Sequence, residues 1–219
     1  MKVIAIHGNG QSKSLYKDIK DFELMELAGH GEAKRLDNYS LEAHVKYLND
    51  LIKEPVIVLA QSFSAHVAIR LAKLNPNIKK LVCTSMLPVS SLEEFGKVVK
   101  PESGINILFT GETNKDKVRA FIKNQQNSDS LVDELVDAFF QLDPKHGASL
   151  YADMVAGIEN EYQILEEIKI PVSFLFGADD KLMNLDYIKQ SSVDFKIIEG
   201  AGHNIIVDRP EAVLEYIKA

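Results

Sequence analysis

A single cysteine, Cys83, stands among the 219 residues, so no internal disulfide can form. Tryptophan is absent, and no apolar run approaches the ~20 residues a membrane helix requires. Positive charge is in deficit: 25 Lys+Arg face 32 Asp+Glu, a formal net charge of −7. That balance argues against a sequence-independent nucleic-acid binder, which needs cations to replace the counterions around phosphate. The opening apolar stretch, residues 1–6, is too short for a secretory signal and gives way at once to His7-Gly8-Asn9-Gly10. Aligned as a phosphate loop on Lys13-Ser14, the required glycines fall on His7 and Ser12; as a dinucleotide fingerprint from Gly8, the third glycine falls on Lys13. No Cys/His grouping has zinc spacing. The expectation is a cytoplasmic protein, monomer or homodimer, that takes a small-molecule substrate and engages no nucleic acid, membrane, metal or other cofactor.

What remains is an ordinary globular balance, 46% hydrophobic and 26% charged residues. Short apolar runs of four to six residues recur at 2–6, 55–60, 80–84, 171–176 and 195–198, with a weaker one at 22–27. Most are apolar on both faces, as strands covered on both sides must be. Helical spacing of three and four runs through 40–52 and 64–74, and the chain closes on a helix opened by Asp208-Arg209-Pro210. Strands alternating with helices predict an α/β fold, a mostly parallel twisted sheet with helices on both faces.

Residues 88–165 break the rhythm. Helical patterns at 91–100, 115–126 and 129–142 carry Phe95, Phe121, Phe139 and Phe140 amid many charged residues, with few strand signals. The expected organisation is a core of residues 1–87 and 166–219, with 88–165 forming a helical cap insertion plus one core helix.

Ligand sites of parallel sheets lie beyond the carboxyl ends of the strands. There the chain places four features in order. His7-Gly8-Asn9-Gly10 offers backbone N–H groups that could meet an oxyanion beside the N–H of Phe63. Ala60-Gln61-Ser62-Phe63-Ser64 sets a serine on a strand-to-helix turn flanked by small residues. Gly177-Ala178-Asp179-Asp180 supplies carboxylates, and Gly200-Ala201-Gly202-His203 an imidazole. The order Ser, Asp, His, each just past a predicted strand, is far more specific than any one of them.

On these segments the chain resembles the α/β-hydrolase superfamily over nearly its whole length. Residues 3–10 resemble its strand and oxyanion turn, and 22–31 its next strand and G-H-G loop. Residues 56–74 resemble its nucleophile elbow and helix, 171–180 the strand before its acid, and 200–214 the segment before its last helix. The resemblance implies Ser62 as nucleophile, His203 as base, Asp180 as acid, and Asn9 and Phe63 as oxyanion donors. Adjacent Asp179 is a second candidate acid. The sequence departs from the family at Ala60 and Ser64, where the elbow carries glycine, and at the absence of the family's N-terminal edge strands, which implies a smaller sheet.

The residue types then imply a mechanism. An imidazole must take the serine proton before the hydroxyl can attack, and a carboxylate must orient that imidazole. The expected activity is hydrolysis of a small carboxylic ester or thioester through an acyl-enzyme. Cleavage of a carbon–carbon bond, acyl transfer, amide hydrolysis, or ligand sensing with little turnover stand as alternatives. Of the other histidines, His7 is expected as a hydrogen-bonder in its turn and His66 as a satisfied helix residue that could line the site. His30, His44 and His146 are expected at the surface or in loops, and Cys83 in the core.

Overall fold

In a computed structural model, residues 1–110 and 113–219 are described, so two positions of the expected insertion lie outside the described residues. Six strands form one sheet: β1 Lys2–Ile6, β2 Phe22–Met25, β3 Val56–Gln61, β4 Ile78–Thr84, β5 Val172–Gly177 and β6 Phe195–Ile198. Their order is β2-β1-β3-β4-β5-β6, and every neighbouring pair is parallel. The weak sixth run is thus an edge strand, half-buried along most of its length.

Alternation along the strands explains why both faces are covered. Ile4 and Ile6 point into one apolar layer with residues of α1 (Leu41–Leu51) and α2 (Phe63–Leu74). Val3 and Ala5 point into the other, with Leu59, Val82 and Leu175. Successive side chains of a strand face opposite sides, so strands apolar at nearly every position must be sandwiched. Ser40 accepts the N–H of Ala43 and caps α1.

Between β4 and β5 run α3 Leu92–Val98, α4 Ile107–Thr110, α5 Lys115–Lys123, α6 Val132–Phe140, α7 His146–Ala156 and α8 Glu161–Glu167. Three of these agree with the predicted helical patterns and are a few residues shorter. The helices α4, α7 and α8 carried no clear signal: α4 is a single turn, and α7 opens without a side-chain cap. Helix α8 packs against α2. After β5 come α9 Leu185–Ile188, α10 Ile205–Asp208 and α11 Pro210–Lys218.

The closing helix carries its proline in the first turn, as expected, with Asp208 and Arg209 ahead of it. Arg209 leaves helical geometry (φ −141°, ψ 63°), and Asp208 turns inward to accept the N–H groups of Gly202, Asn127 and Ser128. Proline then opens α11, where its missing N–H costs nothing. Residues of α10 and α11, among them Ile205, Val213 and Ile217, complete the second apolar layer.

The end of β5 meets the 200–203 loop without room for a side chain. A Cβ at Gly177 would sit 2.1 Å from the carbonyl oxygen of Gly202 and 2.2 Å from that of Ala201. Both obstacles are backbone, so neither can swing aside. Gly177→Ala is expected to cost at least about 3 kcal/mol, at the upper end of overpacking. Urea unfolding followed by circular dichroism checks it, and a loss below about 1 kcal/mol would show that this loop yields.

No helix among the described residues is long and apolar enough to cross a membrane.

Candidate active site

Ser62 occupies the turn between β3 and α2 with φ 52° and ψ −122°, a conformation that L-residues avoid. The turn is clamped on both sides: Ser62 N–H donates to the carbonyl of Thr84 (2.8 Å), and Ala65 N–H to that of Ser62 (2.8 Å). Although Ser62 holds the N-cap position, its hydroxyl does not cap α2. Ser64, expected only to be small, also binds: its hydroxyl donates to the carbonyl of His7 and ties the elbow to the first loop.

His203 and Asp180 meet. The imidazole Nδ1 lies 2.9 Å from Asp180 Oδ2, and both residues are buried. Asp180 Oδ1 accepts the N–H groups of Leu182 (2.8 Å) and Met183 (3.0 Å), which fixes the carboxylate plane. With Nδ1–H committed to the carboxylate, Nε2 of the neutral ring is left as the basic nitrogen. Asp179 points elsewhere and accepts from the side chain of Asn127 (2.8 Å). Of the two candidate acids, only Asp180 is brought to the imidazole.

Asn9 and Phe63 also converge, since both line one cavity with Ser62. Among the described residues, neither backbone N–H donates to a protein acceptor. The cavity, about 490 Å³ of empty space with its open mouth included, is walled largely by apolar side chains from between β4 and β5, including Phe95, Ile105, Phe109 and Met154. Of the insertion phenylalanines singled out in the sequence, Phe95 faces this space, Phe121 is buried in the second apolar layer, and Phe140 is exposed.

A polar network absent from the sequence reading positions all three loops. Asn204 Oδ1 accepts from Gln11 Nε2 (2.8 Å) and Gln61 Nε2 (3.3 Å), and its amide donates to Gln126 Oε1 (3.0 Å). Gln11 Oε1 in turn accepts the N–H of Gly8 (2.9 Å). The carbonyl of His203 accepts from Gln61 Nε2 (2.8 Å) and Ser85 Oγ (2.6 Å). These neutral amides carry no motif, so only their neighbours in space reveal them.

Four histidines stand behind the first loop. His30, His44 and His146, expected at the surface or in loops, are fully buried with His7, His30 in a loop and the other two on α1 and α7. Ring centroids step from His7 to His30 (5.0 Å), to His146 (4.6 Å), to His44 (5.2 Å). They fill the space among the two Gly-rich loops, α1 and α7, joining segments that are distant in sequence. His7 lies Nδ1 to the carbonyl of Gly8 (2.8 Å) and accepts the N–H of Leu27 at Nε2 (3.3 Å). His30 lies Nδ1 to the carbonyl of Ala28 (3.2 Å) and accepts the N–H of Gly10 at Nε2 (3.0 Å). Each of these two rings therefore needs its neutral form. Burial pushes His7 and His44 down to about 4 and His146 down to about 3. Burial, with the neighbouring rings, holds His30 well below the ordinary range.

On α2, His66 Nδ1 faces both oxygens of Glu161 (2.9 and 2.8 Å). Glu161 is fully buried, pairs with Arg70 and accepts the N–H of Val89 (2.9 Å). Burial pushes its carboxyl upward, but His66 and Arg70 outweigh that and hold it below the usual range. Cys83 is buried in β4, as expected, and burial pushes its thiol up. Among the described residues no cluster of three or more His, Cys, Asp or Glu is placed to hold a metal ion.

Known proteins share this fold. The chain is 25% identical to a Mycoplasma pneumoniae (strain ATCC 29342 / M129 / Subtype 1) protein named "Putative esterase/lipase 2", over 98% of this chain and 86% of that one. Among solved structures, the N-acyl homoserine lactonase AidH superposes with a TM-score of 0.86 at 18% identity, covering 99% of this chain and 88% of its own. The 2-hydroxy-6-oxo-6-phenylhexa-2,4-dienoate hydrolase of Rhodococcus sp. strain RHA1 gives 0.76 at 17% identity, over 99% and 90%. At such identities the structures speak for the fold alone. The model of the alpha/beta hydrolase family matches residues 3–216, and with nearly the whole chain inside that match, the protein belongs to the alpha/beta hydrolase family.

Proposed function

We propose that the protein is a serine hydrolase that cleaves a small carboxylic ester or thioester. The observation that carries this reading is a serine on a strained turn at a cavity wall, its hydroxyl not spent on capping α2, while the preceding Gln61 holds the carbonyl of His203, whose imidazole pairs with buried Asp180. His203 Nε2 takes the hydroxyl proton as Ser62 Oγ attacks the carbonyl carbon, and then delivers it to the departing alcohol or thiol. Asp180 holds the imidazole in the required tautomer and stabilises its cationic form. The N–H groups of Asn9 and Phe63 receive the oxyanion, and such donors are worth roughly 3–4 kcal/mol each in comparable sites. Water then attacks the acyl-enzyme by the same proton route in reverse. The apolar walls suit an acyl chain.

Intact-mass measurement after treatment with a fluorophosphonate tests the reading. One adduct on the wild type, absent from a folded Ser62→Ala variant, is the expected result, with turnover of simple esters lost in parallel. No adduct on folded wild type between pH 7 and 9 would overturn it. Asp180→Asn keeps the shape of the acid but not its charge or tautomer control, and kcat for such esters is expected to fall about 10⁴-fold. A fall of less than tenfold would remove Asp180 from the mechanism.

A further inference from the structure

Apart from the Ser62 hydroxyl and Glu161, the cavity lining is apolar but for two side chains, each with an atom that the protein leaves unpaired. His66 Nε2 and Asn9 Oδ1 are both buried without a hydrogen-bond partner, and both residues line this cavity. A buried polar atom without a partner costs about 1–3 kcal/mol, so its persistence at a ligand site points to a partner that arrives with the ligand.

His66 is built for that purpose in a way a packing residue need not be. Its other nitrogen is held by both oxygens of Glu161, which is itself fixed by Arg70 and the N–H of Val89. A carboxylate can only accept from Nδ1, so Nδ1 carries a hydrogen, and a neutral ring then leaves Nε2 a lone pair without a partner in the protein. Asn9 Oδ1 is an acceptor as well. An acyl chain of carbon and hydrogen alone would leave both acceptors stranded.

His66 lies four residues beyond Ser62, one helical turn along α2, or about 6 Å of rise. A chain whose carbonyl sits at Ser62 therefore reaches His66 within a few bonds. We propose that His66, oriented by Glu161, is a specificity-determining residue. It accepts a hydrogen bond from a hydroxyl or amide N–H carried on the acyl chain close to the scissile carbonyl. The substrate class is thus a donor-bearing acyl ester, such as a 3-hydroxyacyl ester, and not a plain fatty ester. This deepens the ester-hydrolase reading and rests on it for placing the carbonyl at Ser62.

Binding to Ser62→Ala tests the proposal without requiring turnover. Calorimetric titration compares ethyl octanoate, each enantiomer of ethyl 3-hydroxyoctanoate, and ethyl 3-methoxyoctanoate, which keeps the oxygen but has no donor. One hydroxy enantiomer is expected to bind about tenfold more tightly than the plain and methoxy esters. Adding His66→Leu is expected to bring that ratio within about twofold of unity. His66→Gln, which retains an acceptor oxygen, is expected to recover part of it. Equal affinities in Ser62→Ala, or a preference that survives His66→Leu, would overturn the proposal. A methoxy ester binding as tightly as the hydroxy ester would also overturn it, since the ring would then be donating. Should His66→Leu fail to fold, the ligand series on Ser62→Ala decides alone. Failure of the hydrolase reading would show separately, as wild type that neither reacts with fluorophosphonate nor turns over any ester.

Discussion

Replacing Ser62 with glycine is expected to abolish turnover while leaving the protein more stable than Ser62→Ala. The backbone at this residue, φ 52° and ψ −122°, is one that a Cβ makes costly. Such outliers cost about 1–3 kcal/mol each. Alanine keeps the Cβ and with it the strain, whereas glycine removes both and gives back roughly 0.5–1 kcal/mol in unfolded-state entropy. The net difference expected between the two variants is about 1 kcal/mol, which for this size corresponds to roughly 2–4 °C in Tm. Both variants lose the proposed nucleophile, and kcat is expected to fall by a factor on the order of 10⁶. Thermal unfolding by circular dichroism, with ester turnover measured on the same preparations, checks both halves. A glycine variant less stable than alanine would show that the turn is not strained. Retained turnover in either would show that Ser62 is not the nucleophile.

The strain has a reason in the sequence. At an ordinary N-cap a serine hydroxyl turns back to accept from the first N–H groups of its helix. Held at positive φ between the Thr84 carbonyl and the N–H of Ala65, it faces the cavity instead. Ala60 and Ser64, which depart from glycine at the family's elbow, are both accommodated. Ala60 is buried in β3, and the Ser64 hydroxyl repays its burial through the carbonyl of His7.

What was legible in the sequence follows from range. Strands such as 56–61 show their burial in consecutive apolar residues, and Ser62, Asp180 and His203 each follow such a run directly, so local pattern locates them. Choosing Asp180 over Asp179 required space: residues 182 and 183 supply the N–H groups that lock one carboxylate, while Asn127 draws the other away. Asn204, Gln11 and Gln61 were invisible because uncharged amides obey no periodicity. The buried histidines escape sequence patterning for a related reason. His44 looks like a polar position on an amphipathic helix, and only α7, which lacked a clear signal, brings His146 within 3.1 Å of it. The pair Glu161 and His66, 95 residues apart, is likewise a product of α8 packing on α2.

Those histidines set the second large expectation, a steep loss of stability in mild acid. His7, His30, His44 and His146 all have folded-state values below the ordinary 6.5, with burial as the first cause. The unfolded chain therefore binds more protons than the native one below about pH 6.5. Stability is fully present above that pH and falls as pH drops toward about 4. Each proton contributes a limiting slope of about 1.4 kcal/mol per pH unit, so four together approach about 5 kcal/mol per unit near pH 5. A native state worth 5–15 kcal/mol is exhausted within a few pH units at that slope. The structural reason is specific. Protonating His30 at Nε2 forfeits the N–H of Gly10, and protonating His7 forfeits that of Leu27, so the turn carrying Asn9 loses its braces. Urea unfolding from pH 8 to pH 4.5, read by circular dichroism because the chain lacks tryptophan, measures the slope. His146→Phe keeps an aromatic ring against His30 and Tyr39 but cannot titrate, and is expected to lower the slope by about one proton's worth. A stability that stays flat from pH 7 to pH 5 would show that the four rings are not held neutral by the fold.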